Sequence, residues 1–145
     1  MSSIKAIIFA AVLLVGGITV ANAQITQGSV LKVNVPNSFV VDGTTFAAGQ
    51  FTIERTPNTT DSPSLLIIRD SKGKGIIFDT IASRSSQPAR GTQLVFDSVG
   101  GTLFLSQIWV KGATTANEIP MTRTERQMIA RMPVEKVVIT TETGF

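Results

Sequence analysis

From Gln24 onward the chain is cut into short β-branched and aromatic runs separated by Gly, Asn, Asp, Ser and Pro, and helical periodicity is nearly absent before residue 120. Turn residues at this density leave no room for long helices, so the segment reads as an all-β domain. The expectation is a single antiparallel sandwich or partly open barrel of about seven to nine strands. One domain, residues 24–145, suffices for a chain of 145 residues, and no repeat or linker divides it.

Individual strands follow from alternation. Leu31, Val33 and Val35 alternate with Lys32 and Asn34 and end at Pro36; Phe39-Val40-Val41 meets the tight-turn pair Asp42-Gly43. Gly49 opens a strand with Phe51 and Ile53 inward and Thr52 and Glu54 outward, and the stretch Thr56 to Ser64 is a loop. Leu65 to Ile68 is a continuous apolar run, expected to be buried on both faces. It returns through Asp70-Ser71-Lys72-Gly73-Lys74-Gly75 into Ile76-Ile77-Phe78.

A polar loop from Ser83 to Gly91 leads to Gln93–Val99, then Gly100-Gly101, then Thr102–Val110, a hairpin whose Gly-Gly link suits a primed turn. Strict alternation along its second arm groups Leu103, Leu105, Gln107 and Trp109 on one face and Phe104, Ser106, Ile108 and Val110 on the other. One short helix is expected near 122–132, because Thr122-Arg123-Thr124-Glu125 matches a capping box, Met121, Met128, Ile129 and Met132 recur at helical spacing, and Pro133 stops it. A last strand covers Val134 to Thr141. The expected core is Val33, Val35, Phe39, Phe51, Ile53, Leu66, Phe78, Phe96, Phe104 and Trp109.

The first residues have the order of an export signal. Lys5 precedes an apolar run from Ala6 to Val15, and Ala21-Asn22-Ala23 is a small-residue cleavage tripeptide, so residues 1–23 read as a signal peptide cut after Ala23. Gly16-Gly17 and Thr19 dilute the run below what a spanning helix needs. Export to the periplasm or extracellular space is the expectation. No cysteine follows to carry a lipid, and none is present to form a disulfide, so stability must come from packing.

Histidine is absent as well, which removes the commonest general base and, with cysteine, the commonest metal ligands. The formal charge of +3 comes from scattered basic residues, a pattern that fits solubility rather than nucleic-acid binding. Ser71-Lys72-Gly73-Lys74 satisfies S-x-x-K, but acyl-enzyme chemistry needs that pair on one helical turn and here it falls in a hairpin. Asp42, Glu54, Asp70, Asp79 and Asp97 mostly sit beside turns or at outward positions, where turn formation and solubility account for them; Asn58-Thr59-Thr60-Asp61 is a poor match to a calcium loop. Arg123, Arg126 and Arg131 form a solvated helix face, with membrane contact the less favoured reading. No catalytic, metal or cofactor site is assigned, and the chain is not expected to be an enzyme.

The stretches Val35-Pro36-Asn37-Ser38-Phe39-Val40-Val41, Phe46-Ala47-Ala48-Gly49-Gln50-Phe51-Thr52-Ile53, Leu94-Val95-Phe96, Phe104-Leu105-Ser106-Gln107-Ile108-Trp109 and Glu118-Ile119-Pro120 resemble a group of small exported bacterial β-rich proteins. That group tends to show V-P-F-x-F, L-P-A-G-x-Y, F-L-x-x-x-W and an acidic helix start after L-P. This chain departs from it at Asn37, Ala47 and Phe51. The resemblance spans roughly residues 30 to 130 and implies a shared β fold and export. It brings no established activity, so no functional residue is carried over.

The functional expectation is an exported, non-enzymatic envelope or extracellular β-domain, binding or structural. Three alternatives stay open at this point. The domain could carry a small apolar ligand in its hollow. It could be an eight-stranded outer-membrane barrel, for which the terminal Phe145 speaks and the lack of tyrosine and of aromatic girdles speaks against. Or it could be an assembly subunit whose edge strands pair with a protein partner, with Gln24 to Gln27 as a donor arm.

Overall fold

The computed structural model describes residues 30–56 and 64–141. The expected signal peptide at residues 1–23, the expected Gln24 to Gln27 arm, most of the Thr56 to Ser64 loop and Phe145 lie outside the described residues.

Two open sheets face each other, with no closed barrel. The first sheet has the order β1 (Val30–Val35), β4 (Gly49–Arg55), β5 (Leu66–Asp70), β6 (Gly75–Phe78). The second runs β11 (Val134–Thr141), β8 (Thr92–Val99), β9 (Thr102–Trp109), β10 (Thr115–Glu118), β7 (Ile81–Arg84); the hairpin β2 (Phe39–Val41) and β3 (Thr44–Phe46) joins it beside β9. One helix, α1 (Arg123–Ile129), precedes β11. The domain is the expected all-β sandwich with one short helix in its C-terminal half.

The described residues form eleven strands rather than seven to nine. The additions are short elements without strong alternation: β3, which follows the Asp42-Gly43 turn, β7, which overlaps the start of the Ser83 to Gly91 stretch read as loop, and β10, Thr-Ala-Asn-Glu, which has little strand composition. Pairing with β9 on one side and β7 on the other holds β10 extended. Among the described residues all ladders are antiparallel except the parallel bridge Val40 to Phe104.

Alternation places the core. Leu31, Val33 and Val35 of β1, Phe51 and Ile53 of β4, and Leu66 and Ile68 of β5 line the inner face of the first sheet. Leu94, Phe96, Leu103, Leu105 and Ile108 oppose them. Phe39 stands at the centre, with the rings of Phe46, Phe51 and Phe96 at centroid distances of 5.7, 4.9 and 5.6 Å, the last two edge-to-face. The Leu65 to Ile68 run is buried on one face only: Ile67 and its partner Ile77 lie on the outer side of the first sheet, Ile77 being 57% exposed.

The turns follow their residues. Asp42 and Gly43, and Gly100 and Gly101, all have positive φ, as two-residue primed turns require. Between β6 and β7 the chain passes from the first sheet to the second at Thr80, which is buried. Its N–H and hydroxyl both donate to Ser64 O, at 3.1 and 2.8 Å, and its hydroxyl oxygen accepts from the Asn117 amide at 3.0 Å.

Candidate functional site

Three polar regions could carry function, and the register of β8 against β9 decides two of them. Phe96 pairs with Leu105, but the next residue, Val95, pairs with Gln107, leaving Ser106 as an extra residue in β9. A bulge of this kind shifts side-chain phase by one residue. Leu103 and Leu105 therefore point into the core together with Ile108 and Val110, while Gln107 and Trp109 point out. The grouping of Trp109 with Leu103 and Leu105 is corrected accordingly. Trp109 is half-buried on the outer face of the second sheet, and its indole N–H donates to the Gln107 side-chain amide oxygen Oε1 at 3.0 Å. Gln93 and Thr140 continue its cross-strand row. Phe104, also assigned to the core, is buried but on this outer side, opposite Asp97.

The second region is a charge cluster next to that row. Asp97 occupies an outward alternation position, where exposure was expected, yet it is only 1% exposed. Its carboxylate pairs with the Lys136 ammonium, directly across on β11. Glu125, on the first turn of α1, is 6% exposed and lies close enough for Asp97 to raise its pKa. Burial pushes the Glu125 carboxyl upward first, the Asp97 charge adds to that, and the Thr122 backbone hydrogen bond and Lys136 oppose it. The capping box thus has both limbs: the Thr122 hydroxyl accepts from Glu125 N–H at 3.2 Å, and the Glu125 carboxylate takes the Thr122 backbone. The helix ends earlier than expected, so Met132 falls outside it; Met132 and Met121, which precedes the helix, are exposed, and Arg123, Arg126 and Arg131 face solvent.

The third region is an open groove of about 500 Å3 where β1 and β4 meet the end of β11. Lys32, Asn34, Gln50, Thr52, Asp70 and Thr140 give it a polar lining; Val33 and Phe51 contribute too, although both side chains belong to the core. Asp70 is fixed by its turn, its carboxylate accepting from the backbone N–H of Lys72 and of Lys74, each at 2.9 Å. Ser71 and Lys74 of the S-x-x-K pattern are exposed residues of this same turn.

Among the described residues no group of three or more acidic side chains is arranged to hold a metal ion, and no helix is long and apolar enough to cross a membrane. Sequence reasoning identified neither the buried charge cluster nor the groove. The first depends on which face α1 covers and the second on where β11 ends relative to β1, both long-range facts. No family model matches the chain, and neither the curated proteins nor the solved structures yield a match.

Proposed function

We propose that the chain is an exported, non-enzymatic β-domain that acts by binding, in the periplasm or outside the cell. The observation that carries this reading is the use made of the acidic groups that converge. Asp97 and Glu125 are enclosed, one matched by Lys136 and the other closing the cap of α1, so both are committed to the fold. The concave surface lies where β1 and β4 of the other sheet meet β11; beside its amides and hydroxyls it holds one ammonium, Lys32, and one carboxylate, Asp70, which the backbone N–H groups of its own turn engage. The Ala6 to Ala23 leader and the lack of cysteine and histidine support the same reading.

A second reading, an assembly subunit, draws on the edge strands β6 and β7, which carry Ile77 and Ile81 at 57% and 54% exposure on either side of the Thr80 corner. The apolar-carrier alternative finds no such support, since the centre of the sandwich is occupied by the Phe39 ring cluster.

Expression of the full chain in a bacterial host, followed by fractionation and intact-mass measurement, tests the proposal. The expected product is an extracytoplasmic protein beginning at Gln24 that turns over no substrate in a broad hydrolase panel. A full-length product confined to the cytoplasm, or turnover abolished by Asp97→Asn with the fold intact, would overturn it.

A further inference from the structure

We propose that the groove where β1 and β4 meet the end of β11 binds a short neutral saccharide, an inference that rests on the reading of the chain as a binding domain and names its ligand class. The hydrogen-bonding groups of the groove are arranged as a grid. Asn34 and Gln50 are direct cross-strand partners, and Lys32 and Thr52 are the next outward pair along the same two strands. Outward residues paired this way stand about 5 Å apart. Asp70 and Thr140 bound this grid.

The chemistry of this lining selects among ligands. A side-chain amide donates and accepts, and a hydroxyl does both, so neighbouring amides and hydroxyls match a vicinal diol, whose own hydroxyls also donate and accept. One ammonium and one carboxylate cancel, giving no net attraction for a polyanion or a polycation. An apolar ligand finds little to bury against, because Val33 and Phe51 are already more than nine-tenths buried in the core. A peptide strand added to β1 would need its outer backbone groups in sequence. That edge is interrupted at Lys32, whose carbonyl accepts from the Thr141 hydroxyl at 3.0 Å. The groove volume falls inside the range of about 300–1,000 Å3 found for small-ligand sites.

The test is a nitrogen–proton correlation titration of the exported chain with maltotriose, cellotriose and chitotriose, each to about 20 mM, which covers millimolar affinities. The expected result is a saturable shift with at least one trisaccharide, confined to residues 32–34, 50–52 and 140–141. The double variant Asn34→Ala, Gln50→Ala, changed only at exposed positions, should weaken that binding by about tenfold or more, whereas Gln93→Ala on the opposite sheet should leave it unchanged. Absence of a saturable shift with all three sugars, shifts centred on Trp109 instead, or binding that survives the double variant would overturn the proposal. Appearance of new reducing-end signals during the titration would contradict the non-enzymatic reading while leaving the site in place, so the two failures are distinct.

Discussion

Asp97 and Trp109 exchange the environments that strand alternation assigns them, and each leads to a measurable consequence. Asp97 is a nearly inaccessible carboxylate whose partner Lys136 keeps most of its own surface in water. Removing the partner strands the acid, so Lys136→Met should cost about 1–3 kcal/mol in urea unfolding; a change within about 0.5 kcal/mol, the size of an ordinary surface substitution, would contradict the pairing. Trp109 is half-buried and Phe96 fully buried. Phe96→Ala should therefore cost about 3–5 kcal/mol, and Trp109→Ala only about 1–2 kcal/mol. Equal losses would return Trp109 to the core.

Glu125 gives the pH dependence. Its carboxyl is raised from 4.5 by burial and by the nearby Asp97 charge. A group raised in the folded state binds its proton more tightly folded than unfolded, so it favours folding below its unfolded-state value, and that contribution is lost as pH rises through the folded-state value. Glu125→Gln removes this titration while keeping an acceptor for Thr122. The stability of the variant relative to the parent should thus increase from pH 4.5 toward neutrality, as chemical denaturation at several pH values would show; a difference that stays flat, or falls, would contradict the cluster geometry.

At the scale of elements, the bulge at Ser106 separates what the sequence makes legible from what it does not. Alternation identifies β1 and β4, a short apolar run before Asp42-Gly43 identifies β2, and the two-glycine turn identifies the β8–β9 hairpin, because each apolar set and each turn residue acts locally. It fails in the second half of β9, where a single extra residue reverses the faces of Gln107, Ile108 and Trp109 and no residue type announces it. It fails again at β7 and β10, which are extended through their neighbours rather than through β-branched composition. The capping box was readable, whereas its burial against Asp97 required the tertiary position of α1. Deletion of Ser106 should leave a regular β9 in which Leu105 and Ile108 still point inward and Gln107 and Trp109 outward, so the variant should keep cooperative unfolding and an unchanged Trp109 emission; loss of cooperative unfolding, or a Trp109 emission shifted toward that of a buried indole, would contradict Ser106 as the extra residue. Gly75 makes a parallel point on the first sheet. A Cβ there would lie 2.1 Å from the Ile68 carbonyl oxygen, so Gly75→Ala should destabilise by about 1–3 kcal/mol through displacement of β6 from β5.

At the scale of the whole molecule, two open sheets share one interior, and the four outer strands meet solvent in different ways. The β1 and β11 edges are tied together by the Thr141 to Lys32 hydrogen bond, while β6 and β7 are continuous through the Thr80 corner and carry the exposed Ile77 and Ile81. A sandwich with such edges can remain a monomer or a small oligomer, whereas a membrane barrel would require detergent and a strand-exchange assembly would form long polymers. Size-exclusion chromatography with light scattering, on chain 24–145 recovered from the periplasm without detergent, separates these three outcomes. The expected product is a soluble, β-rich monomer or small oligomer of constant mass across the peak. Recovery only in detergent, or elution as polymers of rising mass, would contradict that expectation.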